Sequence, residues 1–521
     1  MRRAFTLIAF LTAVAILAVL VGGAEKHSNK KKKPPASKVE KAVNTLAAVP
    51  ELLSGTLGFY FATLESPEKP LFQRNAQQGF IPASTIKAIT TGAALDLLGP
   101  EFCFETTLHY DAGAGDLWIR GSGDPSLARH GWDELFDEWL TALQRADVRE
   151  IPGGIIADES AWESQEIPDG WAWLDIGNYY APALTPLAFH NNEFRLFFRL
   201  GANVGDAAEF FDADPWPAGM QFINEMRTGP PGSGDNGYCN GGPGTDRHVL
   251  RGTLPLDGEF FSIRGALPDP ALFCAQQFTD WLQLREIPVH GEAFTTRRLE
   301  FERVNPQVGA PDPRRPPQIE RRDGSSRPAE ATAARIAEPG STTTPILVAS
   351  HLSPPLKELL IPINHRSLNL DCECLLRTLG QGRAVHGLQR VREFLAAKNL
   401  PLGGFHQADG SGLARLNMIT PELLTRAVAA FVSGEHGDLF LASLPVAGES
   451  GTLEKVAANT AARGHIRAKS GHVERVKCYA GIVETASGKR LVFAIMVNNY
   501  DGSSDPISDG IDAVFEAMAE M

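Results

Sequence analysis

The sequence predicts a mixed α/β (α+β) domain interrupted by a long β-rich insertion. Three observations predict it. Residues Pro82–Pro100 read as a helix: Pro82 and Ser84 open it, apolar residues recur at Ile86, Ile89, Ala93 and Leu97, and Gly99-Pro100 stops it. From residue 104 to about 300 the pattern changes to short strands broken by Gly, Pro and Asp, such as Asp116–Pro125 and Val249–Pro255. Helical patterns return from about 355, clearest at Leu368–Leu379 and Pro421–Val432. Two apolar strands, Cys478–Val483 and Leu491–Asn498, and an amphipathic helix, Ile507–Met518, then close the chain.

The 521 residues, 43% of them hydrophobic, can bury a large core and suggest about three domains. A net charge of -13 excludes a nucleic-acid partner, which would require clustered Lys and Arg. Arg2 and Arg3, the apolar run Ala4–Val21 and the small residues Gly22-Gly23-Ala24 make residues 1–24 an export signal. The run is slightly longer than a signal usually needs, so an uncleaved membrane anchor is the alternative. No Cys follows it to accept a lipid. Lys30–Lys33 reads as a solvated flank that could touch acidic lipid, within a flexible tether over 25–44.

Residues 45–103 form the first part of the α/β domain, with a strand at Thr56–Thr63, and 104–304 the β-rich insertion, with Gly229–Gly244 a loop. Residues 305–341, dominated by Pro, Arg, Ala and Ser, are predicted to be a disordered linker, and 342–521 the second part. No internal repeat is present. Six cysteines in a chain this long do not make a disulfide scaffold. Cys372 and Cys374 point apart on a helix. Cys239 and Cys274 are either a disulfide formed in an oxidising compartment or plain thiols.

Three short words carry the chemistry: Ser84-Thr-Ile-Lys87, Ser367-Leu-Asn369 and Lys469-Ser470-Gly471. In this order they read S-x-x-K, S-x-N and K-[ST]-G, the set of enzymes that attack an acyl carbonyl with an activated serine. A serine hydroxyl needs an adjacent base, and residues three apart on a helix share a face. The Lys87 amine can therefore reach the Ser84 oxygen, and partial burial beside another cation lowers its pKa enough to accept a proton. Ser28/Lys31 and Ser66/Lys69 share the spacing, but the first lies in the basic tether and the second is broken by Pro67 and Pro70. The other two words occur once each, and the third directly precedes a strand pattern. Singly, each has a bland reading: a helix cap at Ser367 and Asn369, an exposed strand lysine at Lys469. Gly448-Glu-Ser-Gly451 looks like the serine segment of chymotrypsin-like proteases, but no matching histidine signature surrounds His190, His248 or His351.

From about Leu57 to the C-terminus the chain resembles the exported serine-type D-Ala-D-Ala carboxypeptidases, the low-molecular-mass class C penicillin-binding proteins. The resemblance rests on Ile81–Lys87, Gly121–Leu127, Ser353–Leu356, Ile363–Leu370, Leu375–Gly380, Asp409–Leu413, Leu444–Gly448 and Gly451–Leu453, and on the large insertion between the first two words. It implies a serine β-lactamase/transpeptidase-like domain split by the insertion. It also implies a peptidoglycan stem-peptide hydrolase, carboxypeptidase or endopeptidase, inhibited by β-lactams and needing no metal or organic cofactor. Ser84 would attack, with Lys87 as base. Ser367 would relay a proton to the leaving amine, and Asn369 would hold the substrate amide. Lys469 and Ser470 would bind the terminal carboxylate, and the backbone N–H groups of Ser84 and His472 would stabilise the oxyanion. Gly471 completes the third word.

Three positions depart from the family: Leu368 replaces the usual Asp, Ser470 replaces Thr, and His472 replaces a small hydroxyl residue. Leu368 and His472 leave open a second reading, a penicillin-binding sensor that acylates but turns over slowly.

Overall fold

The structure, a computed structural model, describes residues 38–298 and 344–521. The expected export segment, Lys30–Lys33 and the 305–341 linker lie outside the described residues.

The first flank holds α1 (Lys38–Leu46), β1 (Thr56–Thr63), β2 (Pro70–Arg74) and α2 (Ile86–Leu98). The middle region begins with β3 (Glu105–Asp111), β4 (Asp116–Gly121), α3 (Asp133–Arg145) and β5 (Ile155–Asp158). It continues with β6 (Glu193–Arg199), β7 (Glu209–Asp214), β8 (Gln221–Gly229), β9 (Asn236–Asn240), β10 (Arg247–Pro255) and β11 (Phe260–Ala266). Then come α4 (Pro270–Gln283), β12 (Ala293–Thr295) and β13 (Ile346–Leu352). The second flank holds α5 (Leu356–Arg366), α6 (Asn369–Leu379), α7 (Ala384–Ala397), α8 (Pro421–Val432) and α9 (Gly437–Ser443). It ends with β14 (Ile466–Val473), β15 (Val476–Glu484), β16 (Arg490–Asn498) and α10 (Asp505–Ala519).

The flanks combine in one antiparallel sheet, ordered β14-β15-β16-β1-β2. Its seam pairs Phe59 with Ile495 and Tyr60 with Ala494, so the two ends of the chain share one sheet. Cys478, Ala480, Ile482, Val492, Ala494 and Met496 face a core shared with α2, α5, α6 and α8. Tyr479, Phe493, Ile495 and Val497 face the other way, into a core shared with α1 and α10. Cover on both faces explains why β15 and β16 read as unbroken apolar runs rather than alternating ones.

The middle region has its own core. A five-stranded sheet, β12-β5-β4-β3-β13, is joined by the three-stranded sheets β8-β10-β9 and β11-β6-β7. Phe136, Trp139, Phe189, Phe278 and Trp281, drawn from α3, α4 and the segment before β6, pack edge and face against one another at its centre.

Several expectations need correction. The tether expected over 25–44 runs into α1, whose Val39, Val43 and Leu46 recur at helical spacing and are buried against the C-terminal helix. The flanking lysines hid that stripe. The loop expected over Gly229–Gly244 contains β9, held by backbone pairing to β10 that needs no strand-like side chains. The second flank does not begin at 342, because β13 pairs with β3 from Ile346↔Tyr110 to Leu352↔Glu105 and so belongs to the middle sheet. Of the two readings left open for Cys239 and Cys274 the structure has plain thiols, both buried and both pushed up in pKa by burial, Cys239 to about 12.

Candidate active site

Ser84 sits on a single 3-10 turn, Ala83–Thr85, that runs directly into α2. Ala83 holds a left-handed φ of +46°, a strained state for a residue with a Cβ, and Ser84 beside it is half-buried. Lys87 is fully buried in the first turn of α2, and its Nζ lies 2.9 Å from Ser84 Oγ. The same Nζ lies 2.6 Å from Asn369 Oδ1 and 2.6 Å from the Ser411 carbonyl oxygen. Those two partners can only accept. In the neutral amine they take both N–H bonds, which leaves the lone pair for the Ser84 hydroxyl. Burial pushes the Lys87 pKa down, against the opposing pull of Cys372, Asp409, Glu373 and Asp371.

The second word lies on the corner between α5 and α6. Ser367 ends α5 in the left-handed region, at φ +59°, and Asn369 opens α6. Ser367 Oγ lies 3.0 Å from Lys469 Nζ. The Asn369 side-chain amide donates to the Tyr180 carbonyl at 2.7 Å while its oxygen faces Lys87. Leu368 caps α6 without any side-chain hydrogen bond.

Lys469, Ser470 and Gly471 lie in β14, the edge strand of its sheet, and β15 follows directly, in keeping with the strand pattern read after the third word. Lys469 is fully buried, and burial together with Lys87 drives its pKa well down. Ser470 Oγ donates to Thr452 Oγ1 at 2.7 Å. Gly471 allows close approach to the Ser84 turn: a Cβ there would stand 2.5 Å from the Pro82 carbonyl oxygen and 3.1 Å from Ser84 N. The Ala447 N–H donates to the Ile466 carbonyl and the Ala468 N–H to the Pro445 carbonyl, so residues 466 and 468 address the edge away from β15. By the two-residue strand repeat, the N–H of His472 points to that same open edge. Its imidazole is exposed, and partial desolvation and Lys477 hold its pKa below the usual value.

The structure thus brings Ser84, Lys87 and Asn369 into one hydrogen-bonded group, sets the Ser367–Lys469 pair beside it, and seats Gly471 against the Ser84 turn. Ser470 and His472 stand further along the same edge.

Sequence reasoning did not identify Ser411, Glu373, Tyr180 or Thr452 as contributors. Ser411 and Tyr180 act through backbone carbonyls, which no residue type announces. Asp409-Gly-Ser-Gly-Leu413 enters the sequence reading only as one of the segments that carry the family resemblance. In the structure it packs on the Ser84 turn, where a Cβ at Gly412 (φ +85°) would stand 2.0 Å from the Ala83 carbonyl oxygen. The middle region closes the other side. Trp171 Nε1 donates to Asp409 at 2.9 Å, and Arg129 pairs with Asp371 of α6 at 2.6 Å.

The model of the D-Ala-D-Ala carboxypeptidase 3 (S13) family matches residues 39–302 and 331–519. A D-alanyl-D-alanine carboxypeptidase of Actinomadura (strain R39) is 26% identical over 475 residues, covering 86% of this chain and 79% of that one. The crystal structure of penicillin binding protein 4 from Haemophilus influenzae superposes with a TM-score of 0.71 at 20% identity, over 92% of this chain and 99% of that one. The same Haemophilus protein complexed with a β-lactam gives 0.65 at 20% identity, with the same 92% and 99% coverage.

Proposed function

The chain belongs to the D-Ala-D-Ala carboxypeptidase 3 (S13) family, and from that premise we propose that Ser84 is the nucleophile with which it cleaves peptidoglycan stem peptides. The bond broken is the terminal D-Ala-D-Ala amide, in carboxypeptidase action, or a D-amino cross-link, in endopeptidase action. One observation carries this reading: the Lys87 amine, spent on two carbonyl acceptors, turns its remaining valence to Ser84 Oγ at 2.9 Å.

As Ser84 Oγ bonds to the substrate carbonyl carbon, its proton passes to Lys87 Nζ. The resulting oxyanion lies between the N–H groups of Ser84, at a helix start, and His472, on the open edge of β14. Collapse breaks the C–N bond. The leaving amine takes a proton from Ser367 Oγ, which regains one from Lys469 at 3.0 Å. Asn369 orients the substrate amide. The terminal carboxylate lies toward Lys469 and Ser470, and its charge favours the ammonium form that burial otherwise disfavours. Water then hydrolyses the acyl-enzyme and frees Ser84. A β-lactam presents a similar carbonyl, and its acyl group remains attached to the opened ring.

The expected result of Ser84→Ala is loss of both fluorescent-penicillin labelling and D-Ala release from a stem pentapeptide. Labelling that survives overturns the assignment. Rapid loss of label with D-Ala release marks the hydrolase; a persistent adduct without release marks the slow-turnover sensor instead.

The wall lies outside the cytoplasm, so residues 1–24 serve as export signal with cleavage after Ala24. N-terminal sequencing of the exported protein should begin at Glu25, and a retained Met1 would make the segment an anchor. Among the described residues no helix is long and apolar enough to cross a membrane.

A further inference from the structure

Glu373 lies one turn beyond Asn369 on α6, on the same helix face. It is buried, and its carboxylate accepts the Gly410 N–H on both oxygens, at 3.0 Å each, and the Ser411 N–H at 2.9 Å. From the opposite side Thr90, one turn beyond Lys87 on α2, donates its hydroxyl to the Gly410 carbonyl at 2.7 Å. The two peptides are therefore clamped between the helix that carries the base and the helix that carries Asn369. They have no room to slide, since a Cβ at Gly410 would stand 2.5 Å from the Cys372 carbonyl oxygen. Ser411, gripped by its N–H, turns its carbonyl to Lys87 Nζ at 2.6 Å.

We propose that Glu373 is a positioning residue for acylation: by holding the backbone N–H groups of Gly410 and Ser411 it fixes the orientation of Ser411, whose carbonyl, with Asn369 Oδ1, occupies both N–H bonds of the neutral Lys87 amine. The lone pair is then left facing Ser84. Both Lys87 acceptors consequently depend on one helix, directly through Asn369 and indirectly through Glu373. If the Ser411 carbonyl drifts, Nζ can rotate and offer Ser84 a hydrogen instead of its lone pair. This inference rests on the Ser84–Lys87 reading above.

The test is the second-order rate of labelling by fluorescent penicillin, measured across pH for the full chain and for Glu373→Gln, Glu373→Ala and Glu373→Asp. Oε1 already receives both N–H groups, so Gln keeps one oxygen that can serve them while removing the charge. Ala keeps neither, and Asp keeps the charge but withdraws the acceptor by one carbon.

The charged and titratable groups facing Lys87 are Asp409, Asp371, Cys372 and Lys469, and Asp409 and Arg377 face Glu373 itself. All remain in every variant. The high-pH plateau should fall about 10²-fold in Ala, the scale of a 1 Å misplacement, clearly in Asp, and at most a few-fold in Gln. The rising limb should move to lower pH in Gln and Ala, which lose a negative charge near the ammonium, and stay in place in Asp.

A limb shift without plateau loss in Ala would make Glu373 purely electrostatic, and equal plateau losses in Gln and Ala would remove the acceptor argument; either overturns the proposal. Should Ala fail to fold in a thermal melt, the contrast between Gln and Asp decides alone. Labelling of Ser84→Ala would instead condemn the underlying site assignment, whatever Glu373 does.

Discussion

At the scale of single residues, burial is what fits the ordinarily charged side chain of Lys87 to the proposed role of base. In water a lysine amine holds its proton up to its usual pKa of 10.5; full burial disfavours the ammonium and pulls that value down. Only the neutral amine can take the Ser84 proton. On the proposed assignment acylation rises with pH through the lowered Lys87 pKa and levels off above it, so the rising limb should lie below pH 10.5. Labelling rates measured against pH test the sign, and a limb at or above that value would show that the amine is not desolvated in solution. Lys87→Ala should remove the limb and slow acylation by roughly 10²–10⁴-fold, the usual worth of general-base help. This part of the site was legible in the sequence because a three-residue helical spacing is local. The Ser411 carbonyl was not, because backbone groups carry no residue signature and the loop meets Lys87 across more than 300 positions of chain.

At the scale of elements, α6 joins the candidate site to the middle region. One face carries Asn369 and Glu373 to the site. Asp371 meets Arg129, and Arg377 meets Glu163 at 3.1 Å and the Gln165 carbonyl at 2.8 Å. The Arg129–Asp371 pair is almost wholly desolvated, with side chains 7% and 3% exposed. Such a pair adds little net stability, but removing one partner strands the other charge in a medium that cannot solvate it. Asp371→Ala should cost about 3 kcal/mol, the lower end of the usual range, because Asp124 also faces Arg129. Chemical denaturation checks this, and a loss within the scatter of surface substitutions would mean that water reaches Arg129. Elements were legible where the pattern was local, as in β1 and α2. They were missed where a distant partner supplied the stability, as for α1 against the C-terminal helix, β9 against β10 and β13 against β3.

At the scale of the whole molecule, the order of patterns announced an interrupted α/β domain, because each apolar rhythm reflects the cover that its own element receives. How the two flanks close was not local information: no spacing states that Phe59 meets Ile495 or that Lys469 reaches Ser367.

The middle region adds a property that no single pattern reveals, two opposed acid responses. His248 is buried with Nδ1 unpartnered, and burial pushes its pKa from 6.5 to about 4. The unfolded chain thus binds the extra proton first, and stability falls as pH drops from 6.5 to 4. Glu166, raised by burial from 4.5 to about 7 despite its ion pair with Arg297, does the reverse: the folded chain binds the proton first, and stability grows as pH drops from 7 to 4.5. Each response amounts to roughly 3 kcal/mol at 1.4 kcal/mol per pH unit, so the two largely offset each other in the native protein. Melting curves of each variant minus wild type should separate them. On acidification below pH 7 the difference should move in favour of His248→Phe and against Glu166→Gln, and two flat difference curves would show that neither group is as dry as its surroundings imply.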